Sequence, residues 1–333
     1  MSASQKHILV VGCGSIGQRH ARCFLKTARA QVAVCDTNST MLKKARQEYD
    51  VASFESLQQA FAAQQFDGVV ICTPAHTHIE IAMAALRRAS ALLIEKPLSV
   101  ASKGIDELKL EMAKSNAFVR VAYVYHFMTA LREARQILQS GAFGKPLQVS
   151  VVAGQNFASL RPSYREIYYA HHETGGGAIQ DALTHLFNAV EWLIGPSTKI
   201  FCEAAHQSLE GVTVEDTVCV TAKNGTAIVS YSLNQFQWPN ETAIQIHCER
   251  GSVKIEIHNQ RWAIFSHASR NWEYHPAPVA QPDDAFVAQA NAFLDGLEGK
   301  PNLLCTLDEA IQTLKCNVAA LQSTRTGIAV PIV

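Results

Sequence analysis

The run Ile8-Leu9-Val10-Val11-Gly12-Cys13-Gly14-Ser15-Ile16-Gly17 constrains this chain more than any other stretch. Residues 8–11 are continuously apolar with no Gly or Pro, the pattern of a strand buried on both faces of a parallel sheet. A G-x-G-x-x-G follows, and residues 18–27 then take helical spacing, with Ala21, Phe24, Leu25 and Ala28 on one side. Strand, glycine turn and helix in this order suit a dinucleotide pyrophosphate. Gly12 permits a sharp turn, Gly14 lets phosphates approach the backbone, and Gly17 lets the helix pack close to the strand. Ser15 and Ile16 sit at the helix N-terminus, where N–H groups face an anion.

A second strand strengthens this. Gln31-Val-Ala-Val-Cys-Asp36 is again apolar and ends in an acid nineteen residues after Gly17. A carboxylate there would accept the hydroxyls of the adenosine ribose. Asp36 could instead belong to a helix start, since Thr37, Asn38 and Ser39 follow and each can cap. With both features in register, the stretch reads as a dinucleotide site. NAD is expected rather than NADP, because Asp36 would repel a 2′-phosphate and no Arg stands beside it to accept one.

Bulk properties narrow the class. A chain of 333 residues is long for one domain, and two are expected. Lys plus Arg number 29, as do Asp plus Glu, and no basic block occurs, which argues against nucleic acid or an anionic membrane as partner. No apolar run nears the roughly 18 residues of a spanning helix, and the polar first seven residues do not form a signal peptide. The nine cysteines are scattered without a C-x-x-C, which suits reduced thiols in a cytoplasmic protein.

Along the chain, helical patterns at 41–49, 56–65, 78–89 and 102–115 alternate with apolar strands at 66–74, 91–94 and 118–122. This is the signature of a doubly wound parallel sheet, and the first domain is expected to cover residues 1–122. Residues 123–333 read differently. A helix at 129–140 and a strand at 145–152 precede a polar, aromatic loop at 155–174, Gly175-Gly176-Gly177, and a helix at 178–194. Strands at 199–206, 216–221, 227–233, 243–248 and 252–257 then follow with few helices between, before helices at 284–297 and 307–324. The expectation is a second α/β domain with a large, mostly antiparallel open sheet.

Two constellations could carry chemistry. Glu95-Lys96-Pro97 closes a parallel strand, at the edge where doubly wound sheets bind ligands. Asp181 and His185, four apart on a helix, share one face about 40° apart. The glycine triplet before them would let a ring approach the backbone. Either constellation could also be ordinary surface pairing. His76-x-His78 and His171-His172 invite a metal, but spacing places no clear third ligand, and none is expected.

Together these motifs resemble the glucose–fructose oxidoreductase / inositol dehydrogenase / MocA family (Gfo/Idh/MocA). The matching pieces are residues 12–20, Thr73-Pro74-Ala75-His76-Thr77-His78, Glu95-Lys96-Pro97, residues 175–185 and the closing helix, in family order over nearly the whole chain. The resemblance implies an N-terminal Rossmann domain and a C-terminal α/β domain whose sheet builds a subunit interface. It further implies Lys96, Asp181 and His185 as the catalytic trio, and Thr73, Pro74, His78, Glu95 and Lys96 among the cofactor contacts. Where members often carry Arg-Phe-x-Pro, this chain has His126-Phe127-Met128-Thr129.

The expected activity is NAD-dependent hydride transfer involving a secondary alcohol of a sugar, polyol or derivative. His185 would take the hydroxyl proton, Lys96 would stabilise the developing alkoxide, and Asp181 would hold a neighbouring hydroxyl. A non-catalytic NAD-binding sensor and a reductase of a dihydrodiol or tetrapyrrole are the alternatives. Tyr123, Tyr125 and His126 after the last parallel strand, and Asn156, Arg161, Tyr164 and Arg165 in the loop before the glycines, are expected to meet the substrate. Paired guanidinium donors there would suit an anionic or nucleotide-linked sugar. A sheet lacking helical cover on one face predicts a homodimer or homotetramer.

Overall fold

The computed structural model describes residues 5–332 except 267. In chain order the first elements are β1 (Lys6–Val11), α1 (Ser15–Lys26), β2 (Ala30–Cys35), α2 (Ser39–Tyr49), β3 (Ala52–Phe54), α3 (Leu57–Ala63), β4 (Gly68–Ile71), α4 (His78–Leu86), β5 (Ala91–Ile94), α5 (Ile105–Ser115) and β6 (Phe118–Val121). Then come α6 (Thr129–Gln139), β7 (Pro146–Asn156), α7 (Phe157–Leu160), α8 (Thr184–Ile194), β8 (Ser197–Ala205), β9 (Thr217–Asn224), β10 (Ala227–Asn234), β11 (Phe236–Cys248), β12 (Gly251–Glu256), β13 (Arg261–Ser266) and β14 (Glu273–Pro276). The chain closes with α9 (Asp284–Leu297), β15 (Cys305–Thr306), α10 (Leu307–Thr326) and β16 (Val330–Pro331). None of the described helices is long and apolar enough to cross a membrane.

The chain divides into two compact units, Met1–Phe127 with Ala280–Ala310, and Met128–Val279 with Ile311–Val333. The first unit therefore includes α9 and β15, whereas sequence pattern predicts a single second domain from residue 123 onward. Pattern alone gives no sign of this return, because α9 reads as an ordinary amphipathic helix wherever it packs.

In the first unit the sheet order is β15-β6-β5-β4-β1-β2-β3. β1 to β6 run parallel and β15 pairs antiparallel with β6. The order reverses at β1, so the turn after β1 lies at the switch point of a doubly wound sheet. β1, β4 and β5 are apolar because both faces are covered, and Ile8, Val70 and Leu93 are fully buried. One cover is α9. Phe293 meets Phe24 of α1 edge-on at 6.0 Å, and a Cβ at Gly68 would lie 2.7 Å from the Phe293 ring. Asp283 accepts both Arg22 nitrogens at 2.8 and 2.9 Å, and the Lys26 ammonium at 2.6 Å. These cations hold its carboxyl far below the usual carboxylate range.

The second unit holds a nine-stranded sheet, β14-β13-β12-β11-β7-β10-β9-β8-β16, antiparallel except for β7 beside β10. Sequence periodicity misses β13 and β14. Arg261-Trp-Ala-Ile-Phe-Ser266 does not alternate cleanly, yet Trp262 donates its indole N–H to Glu133 of α6 at 2.6 Å and stacks on His275 of β14. One face of β9 and β10 is buried in strict alternation, and β8 joins it from Ile200 to Glu203, with Ile200, Val220 and Val229 inside. α8 covers this sheet through Phe187 against Tyr231, with ring centroids 5.0 Å apart. The opposite face carries Phe201, Thr221, Ser230 and Ser150 in one row and Glu203, Cys219, Ser232 and Val152 in the next. The buried Glu191 of α8 accepts from Gln312 and Thr313 of α10 and from the Ser197 N–H, which ties α8 to α10 and to the start of β8. Burial still raises its carboxyl pKa.

Candidate functional site

In the first unit the site starts at the glycine turn. Gly12 takes φ +94°, and a Cβ there would lie 2.8 Å from the Cys72 carbonyl. A Cβ on Gly17 would fall 1.8 Å from Gly12 O, so the helix entry and the turn are locked together by the absence of side chains. Gly14 is different: its φ is −65° and a Cβ would meet nothing within 4 Å. The space beside Gly14 is open, and could hold a pyrophosphate. Gly14 is also the cap residue of α1, with no side-chain cap and no acid in the first turn, so the helix presents uncompensated N–H groups and its positive dipole end. The Asp36 carboxylate accepts the Cys13 N–H at 2.6 Å and the Asn38 N–H at 2.8 Å. Asp36 thus braces the glycine loop, while Asn38, not Asp36, caps α2 by accepting from Thr40 and Met41. Burial and the Asp36 charge push the Cys13 thiol up to about 12, so it is a neutral packing group. The residues present fit NAD.

Lys96 follows β5. Behind it, Glu95 is buried, with Oε1 2.7 Å from His20 Nε2 of α1 and Oε2 accepting the Lys96 N–H at 3.0 Å. His78 is buried too. Its ring nitrogens lie 2.8 Å from Thr73 O and 3.0 Å from Pro97 O, so it ties the loop after β4 to the loop after β5. Burial holds His78 below the usual imidazole range against the pull of those carbonyls. His78 acts here as a link between loops, whereas Thr73 is half-buried and Pro74 exposed. After β6, Tyr123 and His126 are buried at 1% exposure each, and His126 Nδ1 lies 2.9 Å from Leu303 O. Tyr125 is half-buried.

In the second unit, Asp181 and His185 do not lie on one regular α-helix. Ile179–Leu183 form a π-helical turn, and α8 begins at Thr184. Such insertions change which way a side chain faces and occur often at functional sites. Asp181 is 9% exposed and His185 half-buried. The Tyr168 hydroxyl donates to Asp181 Oδ1 at 2.8 Å. Glu215 receives the Ile179 N–H at 2.8 Å on Oε1 and pairs with His172 Nε2 at 2.5 Å through Oε2. That bond raises the His172 pKa. The glycine triplet serves this packing: a Cβ on Gly176 would fall 2.1 Å from Tyr169 O, and one on Gly177 2.6 Å from the Glu215 carboxylate. The space at Gly176 and Gly177 is therefore filled by protein.

The loop residues expected at the substrate divide by burial. Tyr164 is 1% exposed, packs with Phe157 and Tyr169, and donates its hydroxyl to Glu210 O at 2.6 Å. Asn156 caps α7 by accepting the Ser159 N–H at 3.1 Å. Arg165 lies over Tyr164 and donates to Glu210 O at 2.8 Å. Arg161 is exposed. Sequence pattern does not single out Tyr168, the residue whose phenol meets Asp181. Tyr168 and Tyr169 are adjacent aromatics, and only the short helical turn at Tyr168–Ala170 sends one inward and the other out. Among the described residues no cluster of three or more His, Cys, Asp or Glu could hold a metal.

Comparison with known proteins agrees with this geometry. The family described as "Oxidoreductase family, NAD-binding Rossmann fold" matches residues 6–123, and that described as "GFO/IDH/MocA C-terminal domain" matches residues 131–254. An inositol 2-dehydrogenase of Pseudomonas savastanoi pv. phaseolicola is 25% identical over 255 residues, covering 74% of this chain and 73% of that protein. Among solved structures, the WlbA dehydrogenase of Chromobacterium violaceum, in complex with NADH and UDP-GlcNAcA, superposes with a TM-score of 0.84 at 22% identity, covering 100% of this chain and 97% of the other. A levoglucosan dehydrogenase in complex with NADH and levoglucosan gives a TM-score of 0.86 at 18% identity over 99% and 100%. With a glycine turn built for a pyrophosphate at the switch point of its first sheet, the chain belongs to the GFO/IDH/MocA family of NAD-binding oxidoreductases.

Proposed function

We propose that this protein is a cytoplasmic NAD-dependent dehydrogenase of a secondary alcohol on a sugar, polyol or sugar derivative. The observation that carries the reading is the place of Lys96, directly after β5 at the carboxyl edge of the sheet, with its backbone held by the buried Glu95. NAD, when bound, supplies a hydride acceptor at its nicotinamide. Lys96 donates a hydrogen bond to the carbinol oxygen and stabilises the alkoxide that develops. His185 takes the hydroxyl proton, and Asp181 accepts from a neighbouring hydroxyl, which orients the ring. Sugar-type substrates are supported by the relatives named for inositol and levoglucosan. The protein crystallised with UDP-GlcNAcA favours a second reading, a nucleotide-linked acidic sugar, for which the exposed Arg161 is the candidate anion contact.

The test is a cofactor-reduction screen over sugars, polyols, uronates and nucleotide sugars, followed by variants on the best substrate. Lys96→Ala and His185→Ala should each lower kcat by on the order of a hundredfold or more, as loss of a positioned proton-transfer or oxyanion group does. NAD affinity should change far less. Near-full kcat in either variant removes that residue from the mechanism, and no turnover on the whole panel removes the dehydrogenase reading in favour of a sensor.

A further inference from the structure

We propose that Tyr168 is a positioning residue that acts through Asp181: it sets the orientation in which that carboxylate accepts the substrate hydroxyl beside the one oxidised. The inference rests on the dehydrogenase reading above, and adds to it a residue that sets recognition of the neighbouring hydroxyl.

Three features of the second unit converge on it. Asp181 is 9% exposed, and a carboxylate with so little water needs donors from the protein. Tyr168 is such a donor, with its hydroxyl 2.8 Å from Oδ1. A bond from a phenol to an ionised carboxylate is charge-assisted, about twice the strength of a neutral one, and holds the carboxylate rotation about its last torsion. The phenol thereby sets the plane in which the carboxylate oxygens meet a further donor.

The loop is built to deliver that phenol. Tyr169, its neighbour, is fully buried with its ring 4.3 Å from Phe157, so the backbone at this point is anchored from below. Thr174 donates its hydroxyl to Tyr168 O at 2.6 Å, and the Gly177 N–H donates to Tyr169 O at 3.3 Å. These contacts lay the loop against the start of the π-helical turn that carries Asp181. Tyr168 is 38% exposed, so unlike Tyr164 it stays partly open to solvent while its hydroxyl meets Asp181. A half-exposed aromatic beside a hydroxyl-accepting carboxylate is a common way to bind a polyhydroxylated ring, which offers C–H faces and O–H edges alternately.

The experiment uses the full-length protein with NAD and two probes: the fastest-oxidised polyol of a panel containing myo-inositol and levoglucosan, and its monodeoxy analogue lacking the hydroxyl next to the reacting carbon. Wild type, Tyr168→Phe, Asp181→Asn and the double variant are compared, with NAD affinity as the control for an intact fold. Tyr168→Phe should lower kcat/KM about tenfold on the full polyol, mostly through KM, and leave the deoxy analogue nearly unaffected. The double variant should be no worse than Asp181→Asn alone, because the Tyr168 hydroxyl removed by the substitution is assigned to act through that carboxylate. A merely structural role would depress both probes equally and would multiply in the double variant, and either result overturns the assignment. An active wild type with an unaffected Tyr168→Phe overturns it alone. A wild type inactive on the whole panel overturns the dehydrogenase reading and this assignment with it.

Discussion

Gly14 and Gly17 are three positions apart in one motif and do opposite work. Nothing in the protein occupies the space where a Gly14 side chain would go, whereas a Cβ on Gly17 would lie 1.8 Å from Gly12 O. Gly14→Ala should therefore fold normally, with an unfolding temperature close to wild type, yet lose NAD affinity by on the order of tenfold or more, each 1.4 kcal/mol of lost contact being a factor of ten. Gly17→Ala should destabilise the unit itself by on the order of 3 kcal/mol, since backbone must move to admit the methyl. Thermal unfolding and NAD titration on both variants check this, and equal Tm losses would show that the Gly14 cradle is packed rather than open. Residues such as these are legible in the sequence because the motif states a backbone requirement that local chemistry alone imposes. Tyr168 and His20 are not. Nothing in the order Ser-Tyr-Arg-Glu-Ile-Tyr-Tyr tells which of three tyrosines meets Asp181, and the pairing of His20 with Glu95 joins residues 75 apart.

At the scale of elements, the start of the Asp181–His185 segment is held by Glu215, which His172 pairs with in turn. Glu215 takes the Ile179 N–H with one oxygen and His172 with the other. The hydrogen bond to Glu215 raises the His172 pKa in the folded protein above its unfolded value. A raised histidine stabilises fully below its unfolded pKa, near 6.5, and the contribution fades as pH rises through the higher folded value. The His172 side chain is 45% exposed, so the effect should stay below about 1 kcal/mol. Unfolding temperatures of wild type and His172→Asn, measured from pH 5.5 to 9, should therefore differ most at the acid end and converge toward the alkaline end. A constant difference would refute the charge-assisted link. Elements also show where pattern reading fails. The β-α alternation of the first unit is readable because its central strands, β1, β4 and β5, are buried on both faces and so read as apolar runs, whereas the short β3, exposed to half-buried, leaves no such run. β13 and the π-helical turn are hidden: the first because Trp262-Ala263-Ile264-Phe265 are consecutively apolar and do not alternate, the second because a single widened turn at Ile179–Leu183 is too short for periodicity to register.

For the whole molecule, the proposed homodimer or homotetramer would use the sheet face that carries Val152, Phe201 and Ile228, which are 46%, 37% and 58% exposed in the single chain. Small residues between them, Ser150, Ser230 and Cys219, leave the face flat enough to meet a second copy. Val152→Glu with Ile228→Glu should release monomers while leaving far-UV circular dichroism unchanged, because neither side chain contributes to the buried face. Sedimentation velocity at micromolar concentration checks both states, and a monomeric wild type ends the proposal. The first unit has a further consequence through α9. Its core is closed by Phe293, Ala290 and Leu294, and its sheet edge by Cys305 and Thr306, all some 160 residues or more beyond Phe127. On the ribosome, the nucleotide-binding unit is therefore begun before the large sheet and cannot be finished until that sheet has been made. Its glycine turn and β1 emerge early, then wait with Phe24 and Gly68 uncovered while the large sheet is synthesised. A mutation in α9, far from any cofactor contact, would act on the opening residues of the chain as a defect of birth order, leaving nascent molecules with a nucleotide site whose roof has not arrived.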